Sequence, residues 1–423
     1  MNSRPRQADG RGDPGLGLRF WRLAFSAGAS NLADGVFKLA LPLAAIAFTR
    51  SPTLVAGLEL VRSLPWLLIA LPVGALADRL DRRRTMIAAN LARASFVVAL
   101  AAVLETKSGS IALLYLVALG TGVAEVFYDT SSQSILPNLV DRGQLGRANG
   151  RLGAIELSTQ QFVGPPLAGL LVGLALAAAF WTTTVLWVIA IGALWALRGA
   201  FRPDRSGERS TIRADIGEGI RFLVAQPTLR TMAVMVGIAN LASSATGAML
   251  VLYAVGPDSV LRLDETQFGL LIISAAGGSI AVTFVNERVE AALGRARTLT
   301  ITVAGMVVFT GAPAVTSSVW VVAAAMFVGG ALIMTWNIIT VSHRQAVTPD
   351  HLLGRLNSVY RLLAWGTMPL GAAAGGLIAE AFGLRAVFAS MGILAATLFI
   401  PARTITDVEL DVAEHADAAS IST

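Results

Sequence analysis

A block of charge separates two long apolar runs early in this chain. Residues 74–84 read Gly-Ala-Leu-Ala-Asp-Arg-Leu-Asp-Arg-Arg-Arg, and mostly apolar sequence lies on both sides, over 64–77 and 85–104. Apolar runs of this length favour the interior of a bilayer, whereas an arginine placed there costs roughly several kcal/mol. The block therefore predicts a short cytoplasmic loop between two membrane spans.

Composition extends this prediction to the whole chain. Apolar residues make up 55% of the 423 residues, charged residues make up 14%, and the mean hydropathy is +0.66. A water-soluble protein of this size needs more polar surface, so we expect a polytopic membrane protein with lipid as its main solvent. The chain contains no cysteine, which excludes disulfides and thiolate metal sites.

Hydropathy predicts an all-α membrane protein with twelve transmembrane helices. A bilayer crossing needs about 20 apolar residues, and windows of that length fit twelve segments of the chain. The predicted spans are 20–49, 53–77, 85–104, 110–136, 148–175, 178–198, 228–255, 266–286, 298–315, 318–342, 354–380 and 384–401.

The basic residues predict the orientation. If Met1 is cytoplasmic, most of the 33 Lys and Arg fall in cytoplasmic segments, and the predicted external loops hold only Arg50, Lys107, Arg262 and Arg385. An even number of spans then returns the C-terminus to the cytoplasm. The positive-inside bias accounts for the net charge of +6, so no nucleic-acid partner is expected. Residues 1–18 lack the apolar core of a signal peptide.

The longest internal polar stretch divides the spans into two sets of six. We predict a cytoplasmic tail over 1–18, a six-helix bundle over 19–198, a linker over 199–227, a second bundle over 228–401 and a tail over 402–423. Apolar residues recur at helical spacing within the linker and predict an amphipathic helix, which either lies on the membrane surface or carries a regulatory site. These residues are Ile212, Ile216, Ile220, Leu223 and Val224.

The two halves repeat a loop pattern. Residues 134–149 and 345–357 both contain a proline, then Leu-Gly-Arg, then an asparagine, and they lead into spans five and eleven. Matching loops at matching positions indicate a six-helix unit used twice. Transporters built from such repeats place the substrate path between the halves, near the middle of the bilayer.

These features together resemble the major facilitator superfamily over nearly the whole chain. Its signature between spans two and three is Gly, three residues, Asp-Arg, two residues and a basic pair, which residues 74–83 match. The segments 129–133, 147–151, 162–169, 336–337 and 368–371 are similar to a bacterial branch that includes the enterobactin exporter and macrolide efflux proteins. The resemblance implies a bacterial inner-membrane transporter whose two halves rock to give alternating access.

The resemblance assigns roles to two motifs. Gly74, Asp78, Arg79, Arg82 and Arg83 would form a latch that stabilises one access state, and the alternative is that these charges only set the topology. In span five, a proline kink and small residues would form a pliable packing seam, and the alternative is ordinary tight membrane packing. The residues of this second motif are Gly164, Pro165, Pro166 and Gly169.

Asp34 is the leading candidate for proton coupling. It lies near the middle of span one, where an ionised carboxylate is costly unless it is paired or hydrated. Burial makes reversible protonation near neutral pH feasible. Lys38 lies one helical turn later, so a static Asp34–Lys38 ion pair is the competing interpretation.

Span four supplies two more acids. Glu125 and Asp129 share a helical face, and because like charges at this spacing repel, we expect one to be protonated or paired with Arg62 or Arg93. Together with Glu156, these groups would either carry protons or hold helices together. Many exporters of the superfamily carry an arginine in span four, but residues 114–122 contain none, so that part of their mechanism does not transfer.

The remaining candidates concern substrate and energy source. Polar, cationic and aromatic residues in or near the spans are candidates for substrate contact, and packing is the alternative for each. They are Lys38, Arg62, Asn240, Trp336, Asn337 and Trp365. No phosphate-binding loop occurs and the three histidines lack metal-ligand spacing, so we expect no cofactor, no metal and a proton gradient as the driving force.

The sequence thus predicts a monomeric, non-enzymatic secondary transporter whose partners are membrane lipid, protons and a small-molecule substrate. The favoured function is proton-coupled export of amphipathic molecules of the drug, macrolide or siderophore class. Two alternatives stay open at this stage. One is an importer or symporter of a small metabolite, and the other is a membrane sensor or scaffold that transports nothing.

Overall fold

The computed structural model describes residues 16–77, 80–106, 108–141, 144–199, 201 and 212–410. Within this part of the chain the regular structure is helical, and an isolated β-bridge joins Val255 to Leu263. Asp78 and Arg79 of the predicted latch lie outside the described residues, as do parts of both predicted tails and of the linker.

Ten segments of the described chain are long and apolar enough to cross a membrane. Eight are single helices: α1 (Gly17–Phe48), α4 (Arg82–Glu105), α5 (Ile111–Ile135), α8 (Leu176–Trp195), α10 (Pro227–Ala254), α11 (Glu265–Thr283), α13 (Arg295–Val315) and α14 (Val319–Ala346). The other two are helix pairs, α15 (Asp350–Gly366) with α16 (Met368–Phe382) and α17 (Leu384–Ala396) with α18 (Phe399–Ala402). A short helix, α12 (Asn286–Leu293), precedes α13.

The predicted span 53–77 is divided into α2 (Pro52–Leu68) and α3 (Ala70–Ala77). Pro72 has no amide hydrogen to donate to the carbonyl of Leu68, and α2 ends at that residue. Pro369 has the same relation to Trp365, and the helix is interrupted at Thr367, between α15 and α16. Spans two and eleven are therefore both interrupted shortly before a proline.

The predicted span 148–175 consists of three pieces. The α6 helix (Leu145–Glu156) continues into a π-helical turn over Leu157–Val163, and α7 (Gly164–Leu174) follows. Pro165 and Pro166 remove two backbone donors just after the π turn, which explains why the α-helical bonding pattern changes there. This segment and the α2–α3 segment are the two predicted spans that are not among the ten long apolar segments, because each is built from shorter helices.

Among the ten apolar segments, α1 is the most deeply buried. Within the N-terminal half, α1 contacts α7 and α8, and α4 contacts α5 and α8; within the C-terminal half, α14 contacts α11 and α13, and α17 contacts α13. The halves meet where α2 packs on α16 and where α7 packs on α11. Buried apolar side chains from both halves form one continuous core.

The predicted external ends of the two halves are in direct contact. Arg50 donates from Nη1 to the backbone oxygen of Val255 at 2.9 Å. The carboxylate of Glu380 lies 3.3 Å from the Ser51 hydroxyl and 3.4 Å from the Thr53 hydroxyl, which donate to it. These bonds join the α1–α2 loop to α10 and α16, so the structure is closed at this end.

The predicted amphipathic linker helix forms as α9 (Ile212–Ala225). It packs against α15, where Glu218 pairs with Arg355 and Leu223 is buried. Ile220 and Val224 remain exposed. The α9 helix therefore lies on the second half of the molecule with part of its apolar face uncovered.

Candidate functional site

The carboxylate of Asp34 is paired with Arg93 inside the N-terminal half. Nη1 of Arg93 lies 3.3 Å from Oδ1 and 3.4 Å from Oδ2 of Asp34, and both residues are buried. The guanidinium also lies over the rings of Tyr128, 5.0 Å from the centroid, and Trp187, 5.7 Å from the centroid. Burial among aromatic rings leaves little water to screen either charge, so each charge depends on the other.

A polar shell surrounds this pair. The amide oxygen of Asn90 lies 3.5 Å from Nη1 of Arg93, and it accepts a hydrogen bond of 3.4 Å from the hydroxyl of Ser30. Nη2 of Arg93 is buried and has no hydrogen-bond partner among the described residues. Arg93 therefore has unused donor capacity beside Asp34, which a rearrangement of the site would engage.

A second ion cluster adjoins the first and is centred on Glu125. Its two carboxylate oxygens each lie 3.1 Å from a cation, Lys38 of α1 and Arg62 of α2. Arg62 also pairs with Glu59, one turn earlier on its own helix, at 2.6 Å. Ion pairs thus join α1, α2 and α5, and charge-assisted hydrogen bonds of this kind are strong where water is scarce.

The structure differs from the competing interpretation in which Asp34 pairs with Lys38. Asp34 and Lys38 are one turn apart on α1, but the described residues pair Asp34 with Arg93 and Lys38 with Glu125. The expected partnership of Glu125 with Arg62 is present. An i, i+4 ion pair adds only about 0.2–0.5 kcal/mol to an isolated helix. The pairing is therefore decided by the charges that neighbouring helices bring to within 3.3 Å of Asp34 and 3.1 Å of Lys38.

The other two candidate acids lie outside these pairs. Asp129 is half-buried one turn after Glu125 on α5, and Glu156 is exposed at the end of α6, where the π turn begins. Neither acid forms an ion pair with a residue that the structure describes. The five-residue network predicted from the sequence is therefore divided between buried pairs and two more accessible carboxylates.

The candidate substrate residues fall into separate places. Asn240, Trp336 and Asn337 line a cavity of about 70 Å³ inside the C-terminal half. The amide nitrogen of Asn240 donates to the backbone oxygen of Ala364 at 2.7 Å, so it also has a packing role. Drug-sized ligands occupy sites of about 300–1,000 Å³, so this cavity is too small for one.

Trp365 instead contacts the other half of the protein. Its ring packs edge-on against Trp66 of α2, with the centroids 4.4 Å apart and the planes at 86°. Arg361, one turn earlier on α15, lies over both rings and donates to the side-chain oxygen of Gln133 on α5 at 2.7 Å. The four side chains form a polar and aromatic contact between α15 and the first half.

The loop motif is only partly described. Gly74 lies in α3. Arg82 donates to the side-chain oxygen of Asn138 at 2.7 Å, and Arg83 donates to the backbone oxygens of Leu194 and Trp195 at 2.8 and 2.9 Å. A cation at the C-terminal carbonyls of a helix is favourable, so Arg83 stabilises the end of α8.

The Gly-Pro-Pro motif lies between α1 and the opposite half. A Cβ at Gly164 would be 2.7 Å from Cα of Gly35, and a Cβ at Gly169 would be 2.3 Å from the backbone oxygen of Glu265 on α11. Pro165 and Pro166 adjoin Gly269 of α11. The motif therefore allows backbones to approach closely both within one half and between the halves.

The family follows from comparison with known proteins. The family model described as transmembrane secretion effector matches residues 23–423. The chain belongs to this family. It is a branch of the major facilitator superfamily, so the chain is a multi-pass membrane transporter and not an enzyme.

Two named relatives are efflux pumps. The multidrug efflux pump Tap of Mycolicibacterium fortuitum is 28% identical, over 88% of this chain and 90% of the relative. Tap of Mycobacterium tuberculosis is 26% identical, over 91% of this chain and 93% of the relative. An uncharacterized transporter of the major facilitator type from Sinorhizobium fredii is 30% identical, over 92% of this chain and 95% of the relative.

Solved structures share the fold of this family member. A mutant of the nucleoside transporter NupG aligns with a TM-score of 0.73 at 11% identity, covering 91% of this chain and 99% of that chain. A bacterial homologue of the iron transporter ferroportin, in an inward-facing state, aligns with a TM-score of 0.68 at 18% identity, covering 91% and 98%. These likenesses establish the major facilitator fold.

Several residues that contact the candidate site of this transmembrane secretion effector were not predicted from the sequence. Glu59 pairs with Arg62 three residues away, a spacing that would have revealed it. Trp187 and Asn90 were not among the candidates, because the sequence alone does not distinguish them from the other tryptophans and asparagines that pack within the spans. Gln133 was noticed only as part of the family resemblance, and its contact with Arg361 spans 228 residues.

Proposed function

We propose that this transporter exports amphipathic small molecules of the drug, macrolide or siderophore class, driven by proton influx across the bacterial inner membrane. The observation that carries the proposal is the buried Asp34–Arg93 pair beside the Lys38–Glu125–Arg62 cluster. Ionisable groups inside a membrane protein are costly, and they commonly mark proton relays or substrate paths. The efflux pumps among the relatives support the export direction.

The pair suggests how a proton would change the site. Protonation of Asp34 removes the negative charge that holds Arg93, and the guanidinium then has an uncompensated charge in a buried setting. The electrostatic influence of Glu125 and Asp129 also reaches Arg93. Arg93 would therefore move its donors toward α5, which changes the packing of α4 and α5 on α1 during the transport cycle.

The external contacts support alternating access as the transport mode. The halves are bonded at the predicted external end through Arg50 and Glu380, so export requires these bonds to break. The helix interruptions at Ile69 and Thr367 lie in spans at the interface of the halves. We propose that a monomer rocks about these segments, with both termini in the cytoplasm and no cofactor beyond the proton gradient.

Transport by purified protein tests this function. The full chain is reconstituted in proteoliposomes, a pH gradient is imposed, and uptake of ethidium or erythromycin by inverted transporters is followed with and without a protonophore. We expect gradient-dependent accumulation that Asp34→Asn abolishes. Glu105→Gln is the matched control, because Glu105 is an exposed carboxylate that accepts a hydrogen bond of 2.7 Å from Trp181. Equal accumulation with and without the protonophore would show that transport is not coupled to protons.

A further inference from the structure

The contact formed by Trp66, Trp365, Arg361 and Gln133 has no part in the proposed proton pathway. Trp66 lies three residues before the break at Ile69, and Trp365 lies two residues before the break at Thr367. The aromatic pair therefore joins the two halves at the point where both interface spans are interrupted. Interrupted helices of transporters commonly lie at binding sites, because their backbone and side chains can rearrange there.

The position of Arg361 resembles that of a bound organic cation. Its Cζ atom is 4.4 Å from the centroid of Trp365 and 5.4 Å from that of Trp66, within the range of a cation–π contact with both rings. Nη2 of Arg361 is buried and has no hydrogen-bond partner among the described residues. The guanidinium thus relies on the ring faces and on one amide oxygen, that of Gln133.

No carboxylate of the described residues forms an ion pair with Arg361, but two act on it from a distance. Asp129 lies one turn before Gln133 on α5, and Glu156 lies at the end of α6; the charges of both reach Arg361. Removal of the guanidinium would leave two aromatic faces and two acids without a cation. Such a site favours a positively charged, flat or bulky organic ligand.

We propose that Trp66 and Trp365 form the recognition site for an organic cation, and that Arg361 occupies this site as an internal competitor. Binding of the cation displaces the guanidinium from the rings and breaks the bond between Arg361 and Gln133. Because that bond joins α15 to α5, substrate binding loosens a contact between the halves and prepares their movement. This inference rests on the proposed export function in one respect, since the cation is taken to be the exported substrate.

Removal of the competitor gives a counterintuitive test. Binding of tetraphenylphosphonium to the purified full chain in lipid nanodiscs is measured by equilibrium dialysis, without any pH gradient. We expect Arg361→Gln to tighten binding by roughly three- to thirtyfold, the factor that corresponds to the usual range of a cation–π contact. Arg361→Lys keeps the charge but fits the two rings less well, and it should give an intermediate gain. Unchanged or weaker binding to Arg361→Gln would overturn the proposal.

Two further variants separate displacement from a general change of charge. Arg344→Gln removes another cation of the second half, whose Cζ lies 4.2 Å from the ring of Tyr360 and not over the tryptophan pair. Arg344→Gln should leave binding of tetraphenylphosphonium unchanged. If it tightened binding as much as Arg361→Gln does, loss of any positive charge would explain the effect and the proposal would be overturned. Trp365→Leu in the Arg361→Gln background should remove the gain, and persistence of the gain would also overturn the proposal. Thermal unfolding and gel filtration establish that each variant is folded.

The binding measurement and the transport measurement fail independently. Dialysis requires no gradient, so tighter binding of tetraphenylphosphonium to Arg361→Gln would support the cation site even if efflux is not proton-coupled. Conversely, gradient-driven efflux with no gain in Arg361→Gln preserves the proposed function and refutes the cation site.

Discussion

The carboxylate of Asp34 on α1 lies 3.3 Å from Nη1 of Arg93 on α4, and the exposed fractions of the two residues are 6% and 1%. Both charges are removed from water, and the rings of Tyr128 and Trp187 cover the guanidinium. In such a setting the attraction within the pair offsets a large desolvation cost, and loss of one partner exposes that cost in full. The pair therefore links the protonation of Asp34 on α1 to the packing of α4.

The neighbouring cluster yields a prediction about stability. Glu125→Gln removes the shared acid and leaves Lys38 and Arg62 close to each other without their common counter-ion. We expect a lower Tm in detergent, by an amount that corresponds to about 2–5 kcal/mol. Lys38→Met in the same background should recover part of the loss, because it removes one of the two cations. An unchanged Tm in Glu125→Gln would show that the cluster does not stabilise the fold.

The packing seam yields a prediction about the external face. A methyl group at Gly169 would lie 2.3 Å from the backbone oxygen of Glu265, so Gly169→Ala must separate α7 from α11. Because the chain has no cysteine, Thr53→Cys provides a unique thiol beside the contact between the halves. We expect this thiol to react several-fold faster with a membrane-impermeant maleimide when Gly169→Ala is present.

Gly192 provides the matched control for that experiment. A methyl group there has no neighbour within 4 Å, so Gly192→Ala should leave the labelling rate of the same thiol unchanged. Equal rates in Gly169→Ala and Gly192→Ala would mean that the seam does not hold the external face closed.

Hydropathy was sufficient to locate the spans but not their interruptions. The span 53–77 was predicted as one helix, and Pro72 divides it because the carbonyl of Leu68 loses its donor. The apolar length of such a segment is unaffected by the break, so a hydropathy window detects the span and misses its internal structure. The kink of span five was predicted from Pro165 and Pro166, but the π turn before it was not.

Local spacing was an unreliable guide to the partners of charged residues. The i, i+4 rule pointed from Asp34 to Lys38, whereas the partner in the structure is 59 residues away on another helix. A single sequence contains no signal for this contact, because the contact depends on how α1 and α4 cross in space. Asp34 itself was identifiable, since a carboxylate in mid-span is rare enough to be noticed without any knowledge of its neighbours.

The orientation of the chain yields a further prediction. If all twelve helical crossings span the bilayer, reporter tags fused at Met1 and at Thr423 should both report the cytoplasm. The composite segments α2–α3 and α6–α7 are the two that this experiment tests, since each is made of short helices and neither is among the ten long apolar segments. An external signal from the C-terminal tag alone would mean that one of these segments does not cross.

The last prediction distinguishes the two possible partners of Asp34. Arg93→Gln alone leaves a buried carboxylate without its counter-charge and should destabilise the protein by about 3–5 kcal/mol. Asp34→Asn combined with Arg93→Gln removes both charges of the pair and should restore most of the Tm that Arg93→Gln loses. Asp34→Asn combined with Lys38→Met should not restore the Tm, because it leaves Arg93 without its counter-ion and Glu125 without Lys38. Thermal unfolding of the single and double variants measures this coupling.

The same double variant separates a structural role from a role in transport. If the pair only holds α1 to α4, Asp34→Asn with Arg93→Gln should recover gradient-driven efflux together with stability. If Asp34 carries the proton, the folded double variant should still bind substrate and permit downhill exchange, but it should not accumulate ethidium against a gradient, because no titratable group remains at the pair. Wild-type rates of proton-driven accumulation in this variant would refute the role assigned to Asp34.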